Sequence, residues 1–349
     1  MLKLILSVKS IEKNTITQLK NTIQDSSKPL IITHYNPDGD AIGSALAFYH
    51  YLVKKGKEPV VVSPNDYPEF LHWMPGNDKV IVYKRNTGTV LNAIKDADAI
   101  FCLDFNSPDR TEGLEKYITE AQGKKVLIDH HPNPNEFADI IVSETSYSST
   151  AEMVYHVIES LGDEGIIDKN IAECIYTGIM TDTGSFNYNS SNPYTYHVVS
   201  KLIGFGIDKD KIYWNIYDNY STDRMRLLGY CLHKKMQVLE GYKTAYITIS
   251  LQEQKEFNFA PGDSEGFVNF PLSIKGIRFT AIFMEKEKNI KISFRSKGQF
   301  AVNKFAEKHF QGGGHINASG GYSFDSLDET VKRFINILDE YKDELHKAY

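Results

Sequence analysis

Through the first half of the chain, short apolar runs alternate with amphipathic stretches, and the pattern changes character past residue 240. Residues 29–33 (PLIIT), 99–103 (AIFCL) and 125–128 (KVLI) are continuous apolar runs of strand length, as parallel strands covered on both faces should be. Residues 41–54, 149–161 and 169–180 read as helices, so this part alternates as βα units do. Residues 190–230 lack strand alternation and predict a helical connector that opens at Asn192-Pro193. Beyond it, residues 244–249, 277–283 and 289–295 predict strands of a smaller mixed sheet, and residues 302–310 and 327–345 predict helices. The expected fold class is α/β. A mostly parallel N-terminal domain (residues 1–187) and a helical connector (188–240) precede a smaller α+β mixed-sheet domain (241–349).

Composition narrows the class without naming a function. A chain of 349 residues with 41% hydrophobic and 24% charged residues is globular and long enough for two cores. The start of the chain, residues 1–8, is briefly apolar, but Lys9, Glu12 and Lys13 follow and no cleavage signal is convincing. No uninterrupted apolar segment reaches the ~18 residues that span a bilayer, so no membrane association and a cytoplasmic location are expected. The three cysteines, Cys102, Cys174 and Cys231, have no CxxC spacing and read as reduced, buried residues. A formal charge of −6 argues against a partner of long duplex nucleic acid. A small anionic substrate stays open, because divalent cations would offset clustered aspartates.

Four segments carry the chemistry: His34 with Asp38-Gly39-Asp40, then Asp104, then Asp129-His130-His131, and finally Asp182 in a Thr-Asp-Thr-Gly turn. The first three follow the apolar runs, which places them beyond the carboxyl ends of neighbouring strands, where open α/β sheets bind ligands. Imidazole and carboxylate donors without thiolate suit a hard or borderline divalent ion such as Mn²⁺, with Mg²⁺, Co²⁺ or Zn²⁺ as alternatives. Together the segments read as a two-metal site. Gly39 is expected to permit a sharp turn that sends Asp38 and Asp40 to two ions about 3.5–4 Å apart. Asp129 reads as an orienting carboxylate rather than a ligand. A lone Asp-His-His or Asp-Gly-Asp is usually a turn or helix start, but burying this many carboxylates without cations would be costly.

With residues 34–44, Asp104, Asp129 to His131, residues 148–152, residues 181–186, residues 294–296 and Gly312-Gly313-Gly314-His315 in hand, the chain resembles the DHH-family phosphoesterases with their DHH-associated C-terminal domain. The resemblance spans nearly the whole chain and is nearest the soluble nanoRNase type. It implies that His34, Asp38 and Asp104 hold one Mn²⁺ while Asp40, Asp104, His130 and Asp182 hold the other, with Asp104 as the bridge. It also implies that His131 contacts the scissile phosphate or protonates the leaving oxygen, and that the protein is a homodimer. Such a site hydrolyses phosphoesters by in-line attack of a metal-activated hydroxide and needs no protein nucleophile.

The C-terminal domain offers Arg295, a bidentate fork for a second phosphate or else a surface strand-end charge, with Ser296 beside it. Gly312, Gly313 and Gly314 form a loop whose backbone N–H groups can turn towards phosphate, with His315 adding a hydrogen bond or charge. Ser319 stands where the family is expected to prefer alanine. Tyr213, Trp214, Tyr217 and Tyr220 can stack bases or pack helices, and their helical spacing favours packing. The expected substrates are short RNA and 3′-phosphoadenosine 5′-phosphate. Cyclic or linear dinucleotides, polyphosphate or pyrophosphate, and a non-catalytic nucleotide-binding or RNA-binding role are the alternatives.

Overall fold

In the computed structural model, residues 10–347 are described, so the apolar start at residues 1–8 lies outside them. The chain forms two compact units, 1–219 and 220–349.

In the first unit α1 (Lys13–Asp25) leads into β1 (Pro29–Ile32), α2 (Gly39–Lys54), β2 (Val60–Ser63), β3 (Val80–Val82) and α3 (Thr87–Asp96). There follow β4 (Ala99–Leu103), α4 (Glu115–Glu120), β5 (Lys124–Asp129) and β6 (Ile140–Ser143), and then the helices α5 (Thr150–Ser160), α6 (Lys169–Asp182), α7 (Pro193–Gly204) and α8 (Lys209–Tyr217). The strands make one sheet in the order β3-β2-β1-β4-β5-β6, and every pairing is parallel. Alternate residues of each strand feed opposite faces: Ile31, Phe101 and Ile128 pack with α2, α5 and α6, while Leu30, Ile32, Ile100 and Leu127 pack with α3 and α4. Burial on both faces explains why these strands are continuous apolar runs.

The helices behind the first face approach closely because glycine lines their crossing. A Cβ on Gly43 would lie 2.6 Å from the Cys174 carbonyl oxygen, and one on Gly178 would lie 2.4 Å from Ala151 Cβ and 2.7 Å from an Asp40 carboxylate oxygen. Gly39 is the first residue of α2, and its Cβ would meet the Thr181 side chain at 2.4 Å. It is therefore required for a close approach, whereas the sequence suggested a turn. The helices of residues 193–217 join this first core through Tyr194, Val198, Leu202, Ile212 and Ile216.

The second unit contains α9 (Thr222–Tyr230), β7 (Gln237–Leu239), β8 (Thr244–Ile249), α10 (Leu251–Glu256), β9 (Phe279–Glu285), β10 (Ile290–Ser296), α11 (Val302–His309), β11 (Gly313–His315), β12 (Ala318–Ser323) and α12 (Leu327–His346). Its sheet, in the order β11-β12-β10-β9-β8-β7, is mixed, because β8 and β9 are parallel and the other neighbours antiparallel. On one face Phe279, Phe283 and Phe294 of the sheet pack against Phe305 of α11 and Phe334 of α12. The glycine run differs from the expected loop, since Gly313 to His315 form the outer strand of this sheet. Glycine is needed there by contact: a Cβ on Gly312 would collide with the Gly320 carbonyl oxygen at 1.9 Å, and Gly314 has φ +140°.

Replacing Gly43 by alanine should destabilise the protein by about 1–3 kcal/mol through overpacking, although alanine is the better helix former. Denaturant unfolding checks the sign, and unchanged or greater stability would show that α2 and α6 have slack.

Candidate metal centre

The register of the parallel sheet brings the histidine- and aspartate-bearing turns together. Ile32 pairs with Cys102, and Cys102 with Leu127, so β1, β4 and β5 end side by side. His34 follows β1, Asp104 follows β4, and Asp129 to His131 lie at the end of β5. Asp182 arrives from elsewhere, as the last residue of α6. Asp104 turns the chain with φ +66°, a left-handed conformation that non-glycine residues rarely adopt, while its N–H donates to the Ile128 carbonyl.

The donor atoms fall into two groups that share Asp104. His34 Nε2 lies 3.5 Å from Asp104 Oδ2 and 4.0 Å from Asp38 Oδ1. His130 Nε2 lies 3.9 Å from Asp104 Oδ1, 3.8 Å from Asp40 Oδ2 and 3.6 Å from Asp182 Oδ2. These separations exceed hydrogen bonds but suit ligands around a common cation. One oxygen of Asp104 faces each group. The Nδ1 atom of His34 donates to the Tyr35 carbonyl at 2.9 Å, and that of His130 to the Tyr147 carbonyl at 3.3 Å, which aims both Nε2 atoms inward. Burial holds both imidazoles below their ordinary pKa and favours the neutral form that binds metal. The described residues thus fit a pair of divalent ions in donor type, orientation and spacing.

Other partners anchor the acids. Asp38 caps α2 by accepting from the backbone N–H groups of Asp40 and Ala41. Both Asp40 oxygens accept backbone N–H bonds at the start of α5, from Thr150 at 2.6 Å and Ala151 at 2.8 Å. The Thr150 hydroxyl donates to Asp104 Oδ1 at 2.8 Å. Sequence reasoning assigned Thr150 no role, and only its place in the 148–152 segment hinted at one. Arg110, also unassigned, stands near enough for its charge to add to the burial that lowers His34 and His131 and to offset part of the burial that raises Asp129.

Asp129 orients His131: its Oδ1 accepts from His131 Nδ1 at 2.7 Å and its Oδ2 from the His131 N–H at 3.1 Å. This bond occupies His131 Nδ1. In the second unit Arg295 is paired across the sheet with Thr280 and Ala318, and its guanidinium donates to the Phe294 carbonyl at 2.9 Å. Ser296 is buried, donates to the Phe300 carbonyl and accepts from Asn317 Nδ2. Gly312 immediately precedes β11, and Gly313, Gly314 and His315 compose it. Ser319, where the sequence departs from expectation, donates to the Val302 carbonyl and so holds β12 to α11.

Burial, with repulsion from Asp38, pushes the metal-free Asp40 carboxyl from 3.8 up to about 7, and burial raises Asp129 to about 6. Asp104 is raised as well, by burial and then by the Asp40 charge. Raised folded-state values favour the protonated acids, so this stabilisation of the metal-free protein is full below pH 3.8 and is lost as pH rises through about 7. Cation binding must displace those protons. Mn²⁺ affinity should therefore rise from pH 5 to 7.5, and calorimetry in buffers of different ionisation enthalpy at pH 6 should detect proton release; equal heats in all buffers would contradict it.

Comparison with known proteins identifies the family. Residues 28–179 match the DHH family, N-terminal domain, and residues 241–344 match the DHHA1 domain. The bifunctional oligoribonuclease and PAP phosphatase NrnA of Thermus thermophilus is 31% identical over 91% of this chain and 90% of its own length. Its Bacillus subtilis counterpart is 26% identical over 93% of this chain and 99% of its own. A crystal structure of an exopolyphosphatase-related protein from Bacteroides fragilis superposes with a TM-score of 0.93 at 43% identity, covering 97% of this chain and all of that one. With its acidic and histidine clusters, its parallel sheet and its DHHA1 domain, the chain belongs to the DHH family of phosphoesterases.

Proposed function

We propose that this phosphoesterase hydrolyses short oligoribonucleotides to mononucleotides and removes the 3′-phosphate of 3′-phosphoadenosine 5′-phosphate, using two Mn²⁺ ions. The single observation that carries the reading is the division of Asp104, with one carboxylate oxygen facing His34 and the other facing His130. Homology supplies the substrate class, since the two NrnA relatives are named for both activities.

His34, Asp38 and Asp104 would hold one ion, and Asp40, Asp104, His130 and Asp182 the other. Bound there, the pair would make water nucleophilic near neutral pH and neutralise the charge on the phosphoryl oxygens. The protein's own residues position and bind. The start of α5 orients Asp40 and Asp104 through Thr150 and Ala151. Asp129 fixes the His131 ring so that Nε2 can address the scissile phosphate or the leaving oxygen. Arg110 adds positive charge beside these groups and favours an anionic substrate. In the second unit Arg295, His315 and the backbone of Gly312 to Gly314 would take further phosphates, while Ser296 fixes the end of β10.

The test measures phosphate or mononucleotide release from 3′-phosphoadenosine 5′-phosphate, a 5′-phosphorylated RNA trimer, cyclic diadenylate and polyphosphate, each with Mn²⁺ and with chelator. Mn²⁺-dependent turnover of the first two is expected. Exclusive hydrolysis of polyphosphate or of cyclic diadenylate would replace the substrate and keep the metal centre. Light scattering on the same preparation reads the oligomeric state, expected to be a homodimer.

Two sets of substitutions sharpen the roles. Asp104→Ala should abolish metal binding and turnover together, whereas Thr150→Val should weaken Mn²⁺ binding about 10–100-fold, as loss of an orienting bond does. Arg295→Ala should chiefly raise KM for the 5′-phosphorylated trimer. Full activity in Asp104→Ala, wild-type affinity in Thr150→Val, or unchanged KM in Arg295→Ala would each remove the role concerned.

A further inference from the structure

The aromatic residues of the 209–217 segment are not all spent on packing. Helix α8 buries Ile212 and Ile216 on its inner side, which turns Tyr213 and Trp214 outward, 39% and 59% exposed. Tyr217 is partly buried with its hydroxyl directed to the Met180 carbonyl, and Tyr220 stacks on the Arg224 guanidinium. Across from the outward pair, on α7, Tyr196 is 50% exposed, and its ring lies 6.0 Å from that of Phe186. Phe186 in turn lies 6.1 Å from Tyr176 of α6. These rings line a cavity of about 320 Å³ with Ser185, Lys209 and Asp210 as its polar groups. That volume is at the lower end for small-molecule sites, which run from about 300 to 1,000 Å³.

The place of this cavity in the chain links it to the metal centre. Ser185 and Phe186 belong to the turn that leaves α6 straight after Asp182. Three residues of fully extended chain span at most ~11 Å, so the Ser185 backbone lies within that distance of the Asp182 backbone. The turn is built with care. Gly184, Ser185 and Phe186 are consecutively left-handed at φ 53°, 56° and 65°, which is costly for a side chain as bulky as phenylalanine. The Met180 carbonyl accepts from the Ser185 N–H at 2.7 Å, and the Thr183 hydroxyl accepts from the Phe186 N–H at 3.0 Å. Strain of this kind persists where its surroundings over-determine it, and it gathers at ligand-binding segments.

We propose that this cavity is a base-binding subsite, which takes the nucleobase of a nucleotide flanking the scissile phosphate of a short oligoribonucleotide. The inference rests on the proposed function and deepens it. Flat, half-exposed rings receive a π face of any base, while Lys209, Asp210 and the Ser185 hydroxyl can address its edge. The concave shape and the charged pair at Lys209 and Asp210 favour a small planar ligand over a second copy of the chain, because the centres of protein interfaces are depleted of charge. Stacking without a demanding hydrogen-bond pattern would make the enzyme tolerant of base identity.

The experiment compares wild type with Trp214→Ala and Tyr196→Ala on 5′-phosphorylated diadenylate and on two abasic analogues, each lacking one base. Bis(4-nitrophenyl) phosphate turnover in every variant corrects for changes at the metal centre. After that correction, KM for diadenylate should rise about five- to a hundredfold in Trp214→Ala, the loss expected for one stacked base. The analogue lacking the stacked base should show the same KM in wild type and variant. Equal effects on diadenylate and both analogues, unchanged KM throughout, or conversion of a dimer to a monomer in light scattering would overturn the subsite. A wild-type enzyme inert towards every oligonucleotide but active on polyphosphate would instead overturn the proposed function, and this inference with it.

Discussion

Everything in the first unit is arranged around a buried acid that cannot be left alone. Asp104 is almost fully buried, and the carboxylates of Asp40, Asp38, Asp129 and Asp182 all raise the cost of ionising it. In a low-dielectric setting such a group must protonate or acquire countercharge. The surrounding structure provides two inward-facing imidazole nitrogens, one near each oxygen, and a hydroxyl donor from Thr150. None of these supplies the positive charge that four other acids demand. A bound cation would, and its binding would then stabilise the fold as well as serve its chemistry.

That demand explains the architecture behind the site. Asp40 must reach both the cluster and the first N–H groups of α5, so the helices carrying Asp40, Thr150 and Asp182 have to converge. Glycine permits the convergence. A methyl group at Gly178 would strike both Ala151 and the Asp40 carboxylate, so helix packing and the placement of Asp40 depend on one residue. Parallel strand register then does for His34, Asp104 and His130 what the helix crossing does for Asp40 and Asp182.

Much of this could be read in the amino-acid sequence because the main signals are local. Continuous apolar runs followed by His34, Asp104 and Asp129 announce buried parallel strands and place these three residues at one edge of the sheet. The alternating strand at Thr244–Ile249 announces a different sheet in the same way. What stayed hidden depends on distant parts of the chain meeting. Thr150 gains its meaning only when α5 lies against Asp104, 46 residues away in sequence. Gly39 looks like a turn glycine until Thr181 is seen beside it. The Gly313 to His315 strand lacks the side chains that signal β structure, and it is held by pairing with β12 instead. Trp214 follows the buried Ile212 by two positions, and a helical wheel of nine residues does not reveal whether another helix covers that side.

The turn after Asp182 joins the two kinds of recognition. Its first residues are tied to the end of α6, where Thr183 donates to the Ile179 carbonyl, and its last carries Phe186 into the aromatic cavity. Three consecutive left-handed residues constrain the backbone between Phe186 and the helix end that carries Asp182. On the proposed function, a base in the cavity and metal at the adjacent acids would both be held by this one turn. Under the proposed function the phosphate would be addressed by charge and the base by shape, which calls for neither a long basic groove nor sequence-specific contacts.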